Sequence, residues 1–449
     1  MKLFGISANS LVVSTESDHA TQGSIESDFT PPRKSGGASA ATVLPFGASV
    51  TQRPLVNSQL QVAGFEFRLN EKIVARLQSS RNNPARISYY LGLLTAARLN
   101  TQRGRLSLVG LPADLLEHDF IADSIEPGLW LIIGAVQQPN DIACSVMNRL
   151  REQRVRVGWQ AHSLGQFTNI DLPVDFVVFM YGSGDVAGLK KSHELYRKRY
   201  PNLIGIATDL PNIDEIETAI QSRFELASGA FVAHPADQHY KRPLTPATER
   251  LCLLLSLIMN GGDHGEIVEQ LKADVKTSYQ LLCHINSASV GLKYPVDNLD
   301  DALYLLGRDR LYQWLTVMLV HSGSARPASR ALQEVSLGRA RFLEGLAQTT
   351  GAAPPELLFS LGIFSLLHLL LNTSVDTALQ PLKLSPDLSA ALHGSGPWAI
   401  YLQLVVAWER NDSDLVFKVA EQVGLTYEKI AHLAANSIVW ARQAMEFAN

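Results

Sequence analysis

Between about residues 53 and 235, short apolar runs alternate with amphipathic stretches. The runs are rich in β-branched and aromatic residues and predict strands, whereas the stretches between them have the 3.6-residue period of helices. Predicted strands cover 61–69, 105–109, 129–136, 155–159, 175–181 and 203–207, and predicted helices cover 83–100, 140–153 and 188–199. Near-continuous apolar strands that alternate with helices predict a parallel sheet, either covered on both faces or closed into a barrel.

The pattern changes after Lys241-Arg242-Pro243, where strand signals vanish and one helical pattern follows another. Predicted helices cover 264–273, 277–287, 299–306, 309–320, 328–348, 355–371, 397–410, 412–423 and 427–447. Glycine and proline separate these helices at short intervals, and no fixed-period repeat is visible. This part of the chain is therefore predicted to be a compact all-α domain.

Residues 1 to about 50 show neither the two-residue period of a strand nor the 3.6-residue period of a helix. They are rich in Ser, Thr, Ala and Gly and include Pro31-Pro32 and Gly36-Gly37. Such a segment buries too little apolar surface to offset its backbone entropy, which predicts a flexible, low-complexity tail. The predicted division is a tail over 1–50, an α/β barrel-like domain over 51–236 and an all-α domain over 237–449.

Composition narrows the classes of function. The 449 residues include 39 Lys and Arg against 43 Asp and Glu, a net charge of -4, so we expect neither nucleic-acid binding nor attachment to an anionic membrane. The apolar run 357–371 is shorter than a membrane span and predicts a buried core helix. Cys144, Cys252 and Cys283 are far apart and lack zinc-ligand spacing, which favours a reducing cytoplasm.

A glycine-rich loop, Gly182-Ser183-Gly184-Asp185-Val186-Ala187-Gly188, follows a predicted strand and opens a predicted helix. Dinucleotide sites use such glycines to bring the backbone close to a pyrophosphate, with a carboxylate such as Asp209 for the ribose. The spacing is GxGxxxG rather than GxGxxG. An ordinary βα loop is therefore favoured over a nucleotide loop formed by Gly182, Gly184 and Gly188.

The barrel-like part of the chain opens with Arg53-Pro54-Leu55-Val56 and then Val62-Ala63-Gly64-Phe65-Glu66-Phe67-Arg68. These two segments resemble the first strand and the Glu-Ala-Leu segment of EAL domains, the family of cyclic di-GMP phosphodiesterases. The resemblance covers about residues 53–234 and implies a TIM-like barrel. It also implies a test of activity, because EAL phosphodiesterases hold divalent cations with carboxylates and an Asn, and use a Lys to position water.

In this sequence Glu66 alone matches an EAL metal-ligand position. The strand that should carry the Asn reads 106–110, Leu-Ser-Leu-Val-Gly, and the one that should carry a Glu reads 131–134, Leu-Ile-Ile-Gly. Val178 and Met180 stand where the catalytic Lys and a metal-binding Asp are expected. The resemblance therefore implies a degenerate EAL domain with a vestigial Glu66, no metal, no cofactor and no catalytic residue.

The helical part resembles HDOD domains, through 269–274 (Glu-Gln-Leu-Lys-Ala-Asp), 281–288 (Leu-Leu-Cys-His-Ile-Asn-Ser-Ala) and 301–308 (Asp-Ala-Leu-Tyr-Leu-Leu-Gly-Arg). HDOD domains resemble metal-dependent HD phosphohydrolases but lack their His-Asp pair, and here no Asp follows His368. For the motif Asn286-Ser287, a polar helix end and a role in conformation or partner binding are equally favoured.

The two resemblances together predict a bacterial, non-catalytic signal-transduction scaffold that is related to cyclic di-GMP signalling and acts through protein partners. The alternative is a receptor for cyclic di-GMP or another nucleotide, or a residual phosphodiesterase. Unidentified signalling proteins are the expected partners, and the pattern leaves open whether the chain forms a homodimer.

Overall fold

The structure is a computed structural model that describes residues 50–69, 74, 84–134, 139–166, 172–182, 185–232, 243–287, 296–323 and 326–447. The predicted tail therefore lies outside the described residues, apart from Val50.

Within the described ranges, eight strands close into a barrel in chain order, which confirms the predicted TIM-like barrel. They are β1 (Val50–Asn57), β2 (Val62–Leu69), β3 (Leu106–Pro112), β4 (Leu129–Gly134), β5 (Arg156–Gln160), β6 (Phe176–Met180), β7 (Ile204–Leu210) and β8 (Leu226–Gly229). The barrel-region helices are α1 (Pro84–Gln102), α2 (Asp119–Ala122), α3 (Asp141–Glu152), α4 (Ala161–Gln166), α5 (Val186–Arg199) and α6 (Ile213–Gln221), with a 3-10 turn at Ala113–Glu117.

β1 departs from the predicted parallel arrangement. It runs antiparallel to both β2 and β8, whereas the other neighbouring strands pair in parallel. Residues 58–61 connect β1 to β2, and so short a connection suits an antiparallel hairpin but not a parallel crossover. The N-terminal end of β1 consequently lies beside the carboxyl ends of the other strands, which we call the barrel mouth.

The barrel interior is filled by side chains that alternate along the strands. Leu108, Ile132, Phe176, Val178 and Ile206 pack there in a cluster separate from the main core. Successive strand residues point to opposite faces, so the residues two positions further along β3, β4, β6 and β7 also point inward, one layer nearer the mouth.

The rest of the described chain is helical, as predicted, and includes three helices that the pattern missed: Pro246–Met259, Val375–Leu379 and Pro386–Leu392. It contains α7 (Pro246–Met259), α8 (His264–Lys272), α9 (Val275–Ile285), α10 (Leu299–Leu306), α11 (Arg308–Ser322), α12 (Ser329–Thr350), α13 (Pro355–Leu371), α14 (Val375–Leu379), α15 (Pro386–Leu392), α16 (Ala399–Glu409), α17 (Ser413–Gln422) and α18 (Tyr427–Phe447). Most residues of α13 are buried, as expected of a core helix. Among the described residues, no single helix is both long enough and apolar enough to cross a membrane. The helix α13 and the segment Val375–Leu382 meet both conditions only when taken together, and the bend between them is 119°.

Helices from the far part of the chain cover the outer wall of the β1–β2 hairpin. A small apolar cavity of about 60 Å³ separates Pro54 and Phe65 of the hairpin from Phe342 on α12, Trp408 on α16 and Ala441 on α18. The main hydrophobic core runs without interruption from the barrel into the helical region. The two regions are therefore joined by packing as well as by polar contacts.

Candidate functional site

A cavity of about 860 Å³ opens at the barrel mouth. Ile132 and Val178 from the interior cluster also line it, and Glu66 and Thr208 come from the strand ends. Asn411, in the turn between α16 and α17, brings the helical region into the lining. The volume lies in the range of small-molecule sites, roughly 300–1,000 Å³.

Glu66 lies at this mouth, as the resemblance implies, but its carboxylate is already occupied. The side chain is almost fully buried. Its Oε1 accepts from Nε of Arg68 at 2.8 Å, and its Oε2 accepts from the hydroxyl of Ser228 at 3.1 Å. Both Glu66 oxygens are therefore held by protein donors.

Arg68 also binds Asp209, with Nη1 donating to Oδ1 at 2.8 Å and Nη2 donating to Oδ2 at 2.9 Å. Asp209 has a left-handed φ of 62°, at the point where the register between β7 and β8 shifts. Such a bulge re-aims side chains at a strand end. The bulge thus brings Asp209 to Arg68.

Arg53 on β1 completes the cluster, because its Nη1 donates to Oδ1 of Asp209 at 2.6 Å. We call Glu66, Arg68, Asp209 and Arg53 the mouth network. Burial alone would raise the pKa of Asp209, but Arg68 and Arg53 outweigh burial and hold that pKa below its ordinary value. Burial alone would lower the pKa of Arg68, whereas Glu66 and Asp209 raise it. Asp209 and Arg68 therefore both stay charged at neutral pH.

The mouth residues do not fit a two-metal centre. The cavity lining at the other strand ends includes residues without a carboxylate: Gly110, Gly134, Gln160, Met180 and Thr208. Two further carboxylates line the cavity beyond β3, but Asp114 is paired with Arg86 and Glu117 accepts from the amide of Asn140. Magnesium and similar hard cations take carboxylate and carbonyl oxygens together with water. In the part of the chain that the structure describes, no group of three or more His, Cys, Asp or Glu side chains is placed to hold a metal ion.

The glycine-rich loop lies partly outside the described residues, because 183 and 184, including Gly184, are among those not described. At its far end, Asp185 caps α5 and accepts the backbone N–H of Gly188 at 2.8 Å. Gly182 has open space around its Cα. A carboxylate thus stands at the helix start where a phosphate would lie, and the nucleotide loop stays a prediction.

The motif Asn286-Ser287 ends α9. The Asn286 side chain pairs with the backbone of Val296, as Nδ2 donates to its carbonyl at 2.6 Å and Oδ1 accepts its N–H at 2.7 Å. The Ser287 hydroxyl donates to the carbonyl of His284 at 2.6 Å. Asn286 therefore fixes the chain just before α10, a contact across ten positions that sequence spacing did not reveal.

Comparison with known families assigns part of the helical region. The HDOD domain model matches residues 256–380. The chain contains an HDOD domain. Asn286, Ser287 and His284 all lie within that domain.

Two curated relatives share about half of the chain. YuxH of Bacillus subtilis is 25% identical over 247 residues, which are 54% of this chain and 60% of YuxH. The cyclic di-GMP phosphodiesterase CdgJ of Vibrio cholerae is 26% identical over 234 residues, 51% of this chain and 53% of CdgJ. The chain thus spans little more than half the length of each relative.

Among solved structures, the EAL domain protein of Listeria monocytogenes EGD-e matches 40% of this chain and 86% of its own, at 16% identity and a TM-score of 0.31. That score is too low to support a statement about activity. The barrel assignment rests on the strand pairing, and the HDOD assignment rests on the family model.

In the HDOD domain, replacing Asn286 by Asp should lower the free energy of unfolding by about 1 kcal/mol. Aspartate keeps the acceptor for the Val296 N–H but loses the donor to its carbonyl. Urea denaturation followed by circular dichroism measures the change. The matched control is Asn436→Asp, where the amide contacts His432 on the same helix; equal losses in the two variants would contradict a special role for Asn286.

His284 should make HDOD stability depend on pH. The ring is 4% exposed and stacks on Trp314 with 6.1 Å between centroids, and burial lowers its pKa to about 4. The unfolded chain takes up this proton near pH 6.5, so stability is fully present above about pH 6.5 and falls as the pH drops towards 4.

Urea denaturation between pH 7.5 and 4.5 tests this dependence. Burial also lowers the pKa of His193, His321 and His368, so the comparison is between wild type and His284→Phe. We expect the variant to lose stability less steeply as the pH falls, and identical slopes would rule out a contribution from His284.

Proposed function

We propose that this protein is a non-catalytic signalling scaffold, related to cyclic di-GMP signalling, that works in the cytoplasm through protein–protein contacts. The observation that carries the proposal is the engagement of Glu66 by Arg68 and Ser228. The ion pair with Arg68 places a positive charge beside Glu66, and a metal ion at this carboxylate would have to displace it. The name of one relative, CdgJ, supplies the link to cyclic di-GMP.

The surface of the HDOD domain supports a role in protein contacts. Val275 and Tyr279 on α9 and Tyr304 and Leu305 on α10 are exposed, Tyr304 by 85%. Tyrosine and other large apolar side chains are enriched where proteins meet. The proposal assigns partner binding to this domain rather than to the barrel mouth.

A hydrolysis assay tests the absence of catalysis. Purified full-length protein is incubated with cyclic di-GMP and Mg²⁺ or Mn²⁺, and the products are separated by liquid chromatography. We expect wild type to form no more linear dinucleotide than the Glu66→Gln variant does. Metal-dependent turnover that disappears in Glu66→Gln would show an active phosphodiesterase and overturn the proposal.

A second candidate is a receptor for cyclic di-GMP, which the 860 Å³ cavity at the mouth favours. The arginines among its described lining residues are already paired, since Arg68 binds Glu66 and Asp209, and Arg86 binds Asp114 through both Nη atoms. A dianionic ligand must compete with these carboxylates, which is why the receptor ranks second. Calorimetric titration with cyclic di-GMP in chelator separates the candidates, because binding without turnover indicates a receptor.

A further inference from the structure

The guanidinium of Arg68 lies between two carboxylates. Its Nη2 is 2.6 Å from Oε1 of Glu66 and 2.9 Å from Oδ2 of Asp209. The Glu66 side chain is 3% exposed, and those of Arg68 and Asp209 are 23% and 22% exposed. Carboxylates also converge in this way on a bound divalent metal ion. Here the cation between them is the guanidinium of Arg68.

Charge balance explains why the position is stable. The mouth network contains two carboxylates and two guanidiniums, and removing one cation leaves a partly buried negative charge without compensation. Such a site takes up a proton or a cation, or loses stability. Arg68 therefore has the role that a bound metal ion has in other carboxylate clusters.

The same network reaches the helical region. Nη2 of Arg53 donates to the carbonyl oxygen of Arg410 at 3.0 Å, and the Thr51 hydroxyl hydrogen-bonds Oδ1 of Asn411. Asn411 has a left-handed φ of 60° and lines the cavity. The turn 410–412 between α16 and α17 thus lies on the barrel mouth and is held by β1.

We propose that Arg68 is the resident cation of the barrel mouth: it excludes divalent metal ions from Glu66 and Asp209 and, through Asp209 and Arg53, holds the turn 410–412 of the helical region on the mouth. This role goes beyond the proposed scaffold and applies equally to a receptor, because it concerns how the mouth is neutralised and linked to the helical region. A failure of the scaffold proposal therefore leaves it standing, unless the mouth binds metal.

Mn²⁺ titration tests the exclusion of metal. Calorimetry and electron paramagnetic resonance are recorded on the full chain for wild type, Arg68→Met and Arg68→Met with Glu66→Gln. In wild type we expect no Mn²⁺ binding that depends on Glu66. In Arg68→Met we expect a site with a dissociation constant in the millimolar range, at least about tenfold tighter than any Mn²⁺ binding to wild type. Adding Glu66→Gln should remove that site.

Hydrogen–deuterium exchange tests the link to the helical region. Exchange in a peptide that covers 410–412 should be at least about tenfold faster in Arg68→Met than in wild type. The matched control is Arg86→Met, because Arg86 also lines the cavity and pairs with one carboxylate, Asp114, in the barrel. Arg86→Met should leave the turn unchanged.

Two results would overturn the proposal. The first is Mn²⁺ binding to wild type that Glu66→Gln abolishes, a measurement that does not require Arg68→Met to fold. The second is an Arg68→Met protein that neither gains Mn²⁺ affinity nor exchanges faster at 410–412. If Arg68→Met does not fold, Arg53→Met replaces it for the exchange experiment and should also speed exchange at the turn.

Discussion

Gly362→Ala is expected to destabilise the helical region by about 3 kcal/mol or more. A Cβ at this position of α13 would lie 2.3 Å from Cα and 2.5 Å from N of Ala340 on α12. These are backbone atoms, so a side-chain rotation cannot relieve the clash and the two helices must separate. Urea denaturation followed by circular dichroism at 222 nm measures the loss.

Gly338→Ala on α12 is the matched control. Its Cβ would meet that of Ala441 at 3.8 Å, an ordinary contact. Alanine also favours helix over glycine by about 1 kcal/mol, so this variant should be neutral or more stable. Similar losses in both variants would mean that the close approach of α12 and α13 is not the cause.

Glu217→Gln should cost about 2 kcal/mol and partly uncouple the barrel from the helical region. Glu217 on α6 accepts from Nε of Arg326 at 3.0 Å, from Nη2 of Arg326 at 3.2 Å and from the N–H of Ala328 at 2.9 Å. The Glu217 and Arg326 side chains are only 12% and 8% exposed. Glutamine keeps the shape of the side chain but leaves Asp214 as the carboxylate partner of Arg326.

Denaturation followed separately in the two regions checks this result. Exchange mass spectrometry at increasing urea concentration reports on each region by peptide, which tryptophan fluorescence does not, because both regions contain tryptophan. The control is Glu126→Gln in the exposed pair with Arg98, where we expect a loss below about 1 kcal/mol. If Glu217→Gln costs no more than Glu126→Gln, the pair does not hold the two regions together.

Much of the architecture was predictable from periodicity, because long amphipathic and apolar segments carry a strong signal. The helices α10, α13 and α18 have the predicted limits. The strand β8 was missed, since its four residues, Leu-Ala-Ser-Gly, contain no β-branched or aromatic side chain. Its pairing with β7 and β1 is imposed by closure of the barrel, which no local pattern encodes. The helix α6 was also missed, although Asn212 caps it and Asp214 and Glu215 lie in its first turn, which are helix-start signals that the sequence carries.

The candidate site was predictable in part. Glu66 was predicted to be a vestigial metal-ligand position, and the structure places it at the barrel mouth. Arg68 follows it by two positions on the same strand, so the two-residue period places both side chains on one face. That signal was present in the sequence and was overlooked. The approach of Asp209 was not predictable, because it depends on a bulge and a left-handed backbone at the end of β7.

The packing of α12, α16 and α18 over the β1–β2 hairpin has a consequence for biosynthesis. Phe65 emerges from the ribosome long before its neighbour Ala434 in the same small cavity. At roughly 5–20 residues per second, the delay is about 20–70 s. Throughout that interval the apolar outer face of the β1–β2 hairpin is exposed on the nascent chain. Co-translational chaperones that bind exposed apolar surface are therefore expected to bind this chain early and to release it after the final helices are synthesised.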